Sequence, residues 1–90
     1  MKDCSLEVTF FSGRPFAAYY HLPREPGERS ARSRRVEPGM VVDFNAVGVA
    51  IGIEITDPSS ITVEEFNRVL RGLGQDPVDE TTLAPLHAAS

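Results

Sequence analysis

Residues 37–55, EPGMVVDFNAVGVAIGIEI, decide the fold. Two runs of β-branched and aromatic side chains flank a short polar turn, which predicts one β-hairpin. Its strands cover 40–44 and 49–55. The turn spans 45–48, where Asn45 or Gly48 is available for a left-handed backbone. In the later strand Val49, Ile51, Ile53 and Ile55 share one face, while Ala50, Gly52 and Glu54 share the other. A face so apolar belongs against a core.

The helix that covers this face is written just after it. Asp57-Pro58 ends the strand. Thr62 and Glu65 then form a T-x-x-E capping box, with Ile61 placed to staple onto Phe66. Val63, Phe66, Val69, Leu70 and Leu73 fall on one stripe at helical spacing, and Gly72 and Gly74 supply the stop. The spacing predicts a helix over 63–72 lying across the isoleucines. Each such side chain contributes roughly 1.5–3 kcal/mol when fully buried, before entropy is subtracted. Residues 75–90 hold Pro77, Pro85, several acids and scattered leucines. They read as a flexible tail, or as one that orders on a partner. The domain is then 1–74.

On the other side of the hairpin, Leu6, Val8 and Phe10 alternate with Glu7, Thr9 and Phe11, the period of a strand. Ser12-Gly13 is a short hairpin turn. Pro15 opens a second strand, with Phe16, Ala18 and Tyr20 on one face and Ala17, Tyr19 and His21 on the other. Residues 23–33, PREPGERSARS, lack an apolar anchor and read as a long mobile loop. A short third strand over 34–37 leaves it. The predicted fold class is α+β: an antiparallel β-meander sheet of four to five strands with one C-terminal helix packed on one face.

The 90 residues allow one domain with a core one layer deep, and oligomerisation is an expected source of further stability. The single cysteine, Cys4, suggests a reducing, cytoplasmic setting. No apolar run approaches the ~20 residues of a membrane span, and the N-terminus does not read as a signal peptide. The formal net charge of −4 is unevenly spread: 7 Lys/Arg against 5 acids over 1–42, and 2 against 8 over 43–90. The acidic half argues against a nucleic-acid binder and permits a basic protein partner.

Four pieces of the chain resemble a known family: 16–21 (FAAYYH), 36–43 (VEPGMVVD), 52–55 (GIEI) and 57–59 (DPS). Together they are similar to domain-of-unknown-function family 2283, a group of short bacterial proteins, over roughly residues 6–60. The family's turns are usually rich in Asp or Asn, whereas this chain has Ser12-Gly13 and Val47-Gly48. The resemblance implies a small bacterial α+β protein. Members that sit beside small toxin-like nuclease genes suggest, by analogy, an antitoxin-like protein-binding role.

No catalytic signature accompanies this reading. There is no Gly-rich phosphate loop, no G-x-S-x-G and no spacing of His21, His87 and Cys4 that suits a metal, so neither cofactor nor metal is expected. The binding candidates are Asp43, Glu54 and Asp57 on the central hairpin, and Arg32, Arg34 and Arg35 in the arginine-rich loop. Asp43 and Glu54 are expected on one outer face, where they either meet across the sheet or lie offset and solvated. The arginines either grip an anion or keep the loop solvated. Ala17, Tyr19, Val41 and Ala50, with Gly52, are expected to leave the sheet's second face flat and poorly polar, an interface for a homodimer unless the tail or loop folds over it. The chain thus reads as a non-enzymatic interaction module forming a homo-oligomer. The competing reading is a small ligand- or anion-binding module, or an enzyme, that uses the hairpin acids or the arginines.

Overall fold

The structure is a computed structural model that describes residues 4–87. Five strands form one antiparallel sheet: β1 (Ser5–Phe11), β2 (Arg14–His21), β3 (Arg32–Glu37), β4 (Met40–Phe44) and β5 (Ala50–Ile55). A 3₁₀ turn over Pro58–Ser60 leads to helix α1 (Val63–Gly72), then to the short helix α2 (Glu80–Leu83) and a 3₁₀ turn over Ala84–His87. The α+β class expected from the pattern is the one observed.

The strand order is β1-β2-β5-β4-β3, which departs from a simple meander. β1 and β2 form a hairpin, and β3, β4 and β5 form a meander. The two join through β2 and β5, with Ala18 opposite Ile55 and Tyr20 opposite Ile53. The physical reason lies in the two strand patterns. β5 carries the most continuous apolar inward face, so it takes the centre, flanked by the two strands whose inward residues match it. A connection from β2 to β3 must then clear two strands, about 14 Å at ~4.8 Å per spacing. The ten residues between His21 and Arg32 reach that far with ease.

Inward-facing Ala18, Tyr20, Met40, Val42, Ile53 and Ile55 are buried together with Phe66, Val69 and Leu70 of α1. The Phe66 ring meets Tyr20 edge-on at 5.0 Å. The capping box forms as its residues dictate: Glu65 N–H donates to Thr62 Oγ1, and Thr62 N–H donates to Glu65 Oε1, each at 3.1 Å. At the far end Gly74 takes φ +73°, Gln75 N–H reaches the Leu70 carbonyl and Gly74 N–H reaches that of Arg71. That pair of bonds is a Schellman stop.

Two expectations are corrected. Val49 lies in the turn and is exposed. Asn45 captures it, accepting the N–H groups of Val47 and Val49 on its side-chain oxygen. The segment expected to be a flexible tail is docked over 75–87, with Leu83 and Leu86 fully buried; residues 88–90 lie outside the described residues. The buried amide of Asn67 explains the docking. Its amide donates to the Val78 carbonyl at 2.9 Å and accepts from Val78 N–H at 2.8 Å, so a side chain stands in for a missing strand neighbour. His87 Nε2 then donates to the Ile61 carbonyl at 2.6 Å. Helix α1 is therefore not the last element.

Candidate interaction surfaces

The sheet's outer face carries Glu7, Tyr19, Glu54, Val41 and Arg35 in one cross-strand row. Ser5, His21, Gly52, Asp43 and Ser33 form the next. Tyr19 crosses between the rows. Its ring lies over Gly52, where a methyl group would coincide with the phenol, and its hydroxyl donates to Asp43 Oδ2 at 2.8 Å. Ser33 Oγ donates to the other oxygen of the same carboxylate at 2.6 Å. Burial, and next the bond to Asp43, push the Tyr19 pKa up to about 12.

His21 is held between Glu7 Oε1 (2.9 Å from Nε2) and Arg24 Nη2 (3.2 Å from Nδ1). A guanidinium only donates, so Nδ1 accepts and Nε2 carries the proton directed at Glu7. The face expected to be flat and apolar is thus threaded with hydrogen-bonded polar side chains. Ala17, Tyr19 and Val41 are half-buried within it, whereas Ala50 sits at the bulge opposite Phe44 and packs towards the core. The pattern missed this because the partners that Glu7 of β1 and Ser33 of β3 supply to His21 and Asp43 depend on registers that only the tertiary fold defines.

The hairpin acids do not converge. Asp43 pairs with Gly52, and Glu54 pairs with Val41 and Tyr19, so the two carboxylates are offset by one row. Asp57 lies beyond the end of β5 and accepts from the Ser60 hydroxyl at 2.9 Å, holding the 3₁₀ turn. These partners make Asp43 and Asp57 structural. Among the described residues no group of three or more His, Cys, Asp and Glu side chains is placed to hold a metal ion.

Arg32, Arg34 and Arg35 all lie on a strand, since β3 begins at Arg32, two residues before the expected start at Arg34. β3 is an edge strand, as is β1 at the other side. Arg34 lies over the Phe44 ring at 5.5 Å. A cleft of about 520 Å³ opens beside it, lined by Arg32, Ser33, Arg34, Phe44 and Gly48.

The β1 edge differs in kind. Its only charge is Glu7, already bonded to His21, and it holds no Pro and no Lys. The β1–β2 hairpin turns on Ser12 (φ 53°) and Gly13 (φ 77°). β5 pairs with β2 only from Ala18 to His21, so the hairpin tip overhangs the sheet. At that tip Phe10, Phe11 and Phe16 are 50%, 71% and 65% exposed, with the Phe11 and Phe16 rings 6.1 Å apart. The alternation of 6–11 signalled the strand. What it did not signal is that this end has no sheet beneath it.

Among the described residues no helix is long and apolar enough to cross a membrane. No protein-family model matches the chain, and neither the curated proteins nor the solved structures contain a match to it.

Proposed function

We propose that this chain is a non-enzymatic protein-interaction module that acts as a symmetric homodimer in the cytoplasm, joined through the β1 edge and its phenylalanine tip. One observation carries the reading: an edge strand whose one charge, Glu7, is turned to His21 runs alongside three exposed phenylalanines. Edge strands are ordinarily blunted by Lys, Pro or bulges, and large exposed apolar groups beside a bare edge mark a contact. If a fully exposed Phe side presents about 200 Å², the three rings offer roughly 370 Å². That is close to half of the ~800 Å² per partner in a stable interface, and the edge backbone and Leu6, Val8 and Thr9 supply more.

The strand is also compatible with itself. In an antiparallel pair centred on Val8, Leu6 faces Phe10 of the second copy and Glu7 faces Thr9, so no like charges meet. Glu7 remains free to keep its bond to His21. An antitoxin-like form of this role follows only by analogy from the resemblance of residues 6–60 to family 2283.

The test is the mass in solution. Light scattering at micromolar concentration is expected to give twice the 9.8 kDa of one chain. Phe11→Glu, at an exposed position, is expected to return it to the single-chain mass without loss of circular dichroism. A wild-type protein that stays at 9.8 kDa up to high micromolar concentration rejects the proposal.

A further inference from the structure

The opposite edge of the sheet has chemistry of its own that self-association leaves unused. β3 has no strand on its outer side among the described residues. Its outward backbone N–H and C=O groups from Arg32 to Arg35, apart from the Arg32 carbonyl that accepts from the Ser30 hydroxyl at 3.4 Å, are therefore open to a further strand. On its two faces stand Arg32 and Arg34, with core parity opposite Phe44 and Val42, and Arg35, with outer parity opposite Val41. All three are exposed, and among the described residues no acid pairs with any of them. By contrast Arg24 is bonded to His21 and Arg68 to Glu37. Three unpaired guanidiniums on one short strand, in a chain of net charge −4, form a local positive stripe that the rest of the surface does not share.

We propose that β3 is a docking edge for an extended acidic segment of a partner protein, which adds to the sheet as a sixth strand. The charge pattern identifies this occupant. A second copy of β3 would bring arginine against arginine, so self-pairing at this edge is repelled. An acidic strand meets the same row with opposite charge. Carboxylates at alternate positions of the added strand lie on one face, at the spacing that Arg32 and Arg34 occupy. The cleft of about 520 Å³ between Arg32, Arg34, Phe44 and Gly48 receives the side chain that follows them. Arg34 is braced on the Phe44 ring, so its guanidinium is partly ordered before the partner arrives. Backbone pairing would supply affinity and the arginines specificity, the division of labour of strand addition. Single-stranded nucleic acid fits less well, because no exposed aromatic interleaves with Arg32, Arg34 and Arg35 for bases to stack on. The inference goes beyond self-association and does not need it, since β1 and β3 are opposite margins of the sheet.

The probe is a fluorescein-labelled peptide, Val-Glu-Val-Glu-Val-Glu-Val, read by anisotropy at low and at physiological salt. Three comparators are used: the same peptide with its central Glu replaced by Pro, inorganic tripolyphosphate and a single-stranded oligothymidine. Binding of the alternating peptide is expected. Arg32→Ala and Arg34→Ala, both at exposed positions, are each expected to weaken it about tenfold. The Pro-interrupted peptide is expected to lose most of the affinity, because it can no longer donate along the edge. Phe11→Glu is expected to leave peptide binding unchanged even where it dissociates the dimer, so failure at one edge is distinguishable from failure at the other. The proposal is overturned if the alternating peptide does not bind at low salt. It is equally overturned if the Pro-interrupted peptide, tripolyphosphate or oligothymidine binds as tightly, since a diffuse anion surface would then suffice.

Discussion

At the scale of single residues, Gly52 is a position defined by what lies above it. The absent side chain makes room for Tyr19, which spans β5 to bond Asp43. Gly52→Ala must lift that ring and leave a half-buried carboxylate with one donor fewer, at an expected cost of about 1–3 kcal/mol in chemical denaturation. The phenol also sets a pH dependence. Tyr19 and Tyr20 are both raised from 10.0 to about 12, Tyr19 by burial and then by Asp43, and Tyr20 by burial and then by a hydrogen bond with Cys4. A raised value in the folded state means that the unfolded chain loses these protons first. The stability tied to them is therefore complete below pH 10 and lost as pH rises towards 12. Urea midpoints at stepped alkaline pH should fall across that window, with phenolate absorbance in the folded protein rising later than for free tyrosine. Little of this could be read from the sequence. Gly52 reads as one of the small residues of a flat outer face, and only the register places Tyr19 beside it.

At the scale of elements, the contrast between α1 and the chain after it shows which signals are local. Thr62, Glu65 and Gly74 fix the ends of α1 through bonds spanning three to five residues, so pattern alone located the helix. The 40–44 and 49–55 runs were legible for the same reason, apart from Val49, which the side chain of Asn45 draws into the turn. The docking of 75–87 uses contacts for which composition carries no mark: the bidentate bond between Asn67 and Val78, eleven residues apart, and the bond from His87 to the Ile61 carbonyl. Prolines and acids suggested disorder, yet Leu83 and Leu86 are as buried as any isoleucine of β5. Asn67→Ala should leave the backbone groups of Val78 without partners, costing about 1–3 kcal/mol and raising amide exchange selectively over 76–87. Leu86→Ala should cost about 2–5 kcal/mol. Equal exchange throughout the chain in both variants would show that the segment does not open as a unit.

At the scale of the whole molecule, the two sheet margins differ in sign and polarity, and the candidate sites follow that asymmetry. The arginines are visible in the sequence as part of an arginine-rich loop, with Arg34 and Arg35 also at the start of the expected short strand over 34–37. Only the start of β3 at Arg32 aligns them into a row. The phenylalanines were visible as strand residues, but their exposure depends on how far β5 extends beneath β2. Dimerisation through β1 carries a thermodynamic signature. Because the two-copy state gains by mass action, the melting temperature of the wild type should rise with protein concentration, while that of Phe11→Glu should not.

The neighbour of β2 is β5, which follows it by more than thirty positions, with Ala18 opposite Ile55. A growing chain therefore makes the first hairpin long before the strand that shelters it exists. Until residue 55 has left the ribosome, Tyr20 and Leu22 have nothing to lean on, and three phenyl rings stand at the leading end of an unfinished fold. Synthesis of this protein thus has a built-in waiting period, in which its stickiest segment is present and its centre is not.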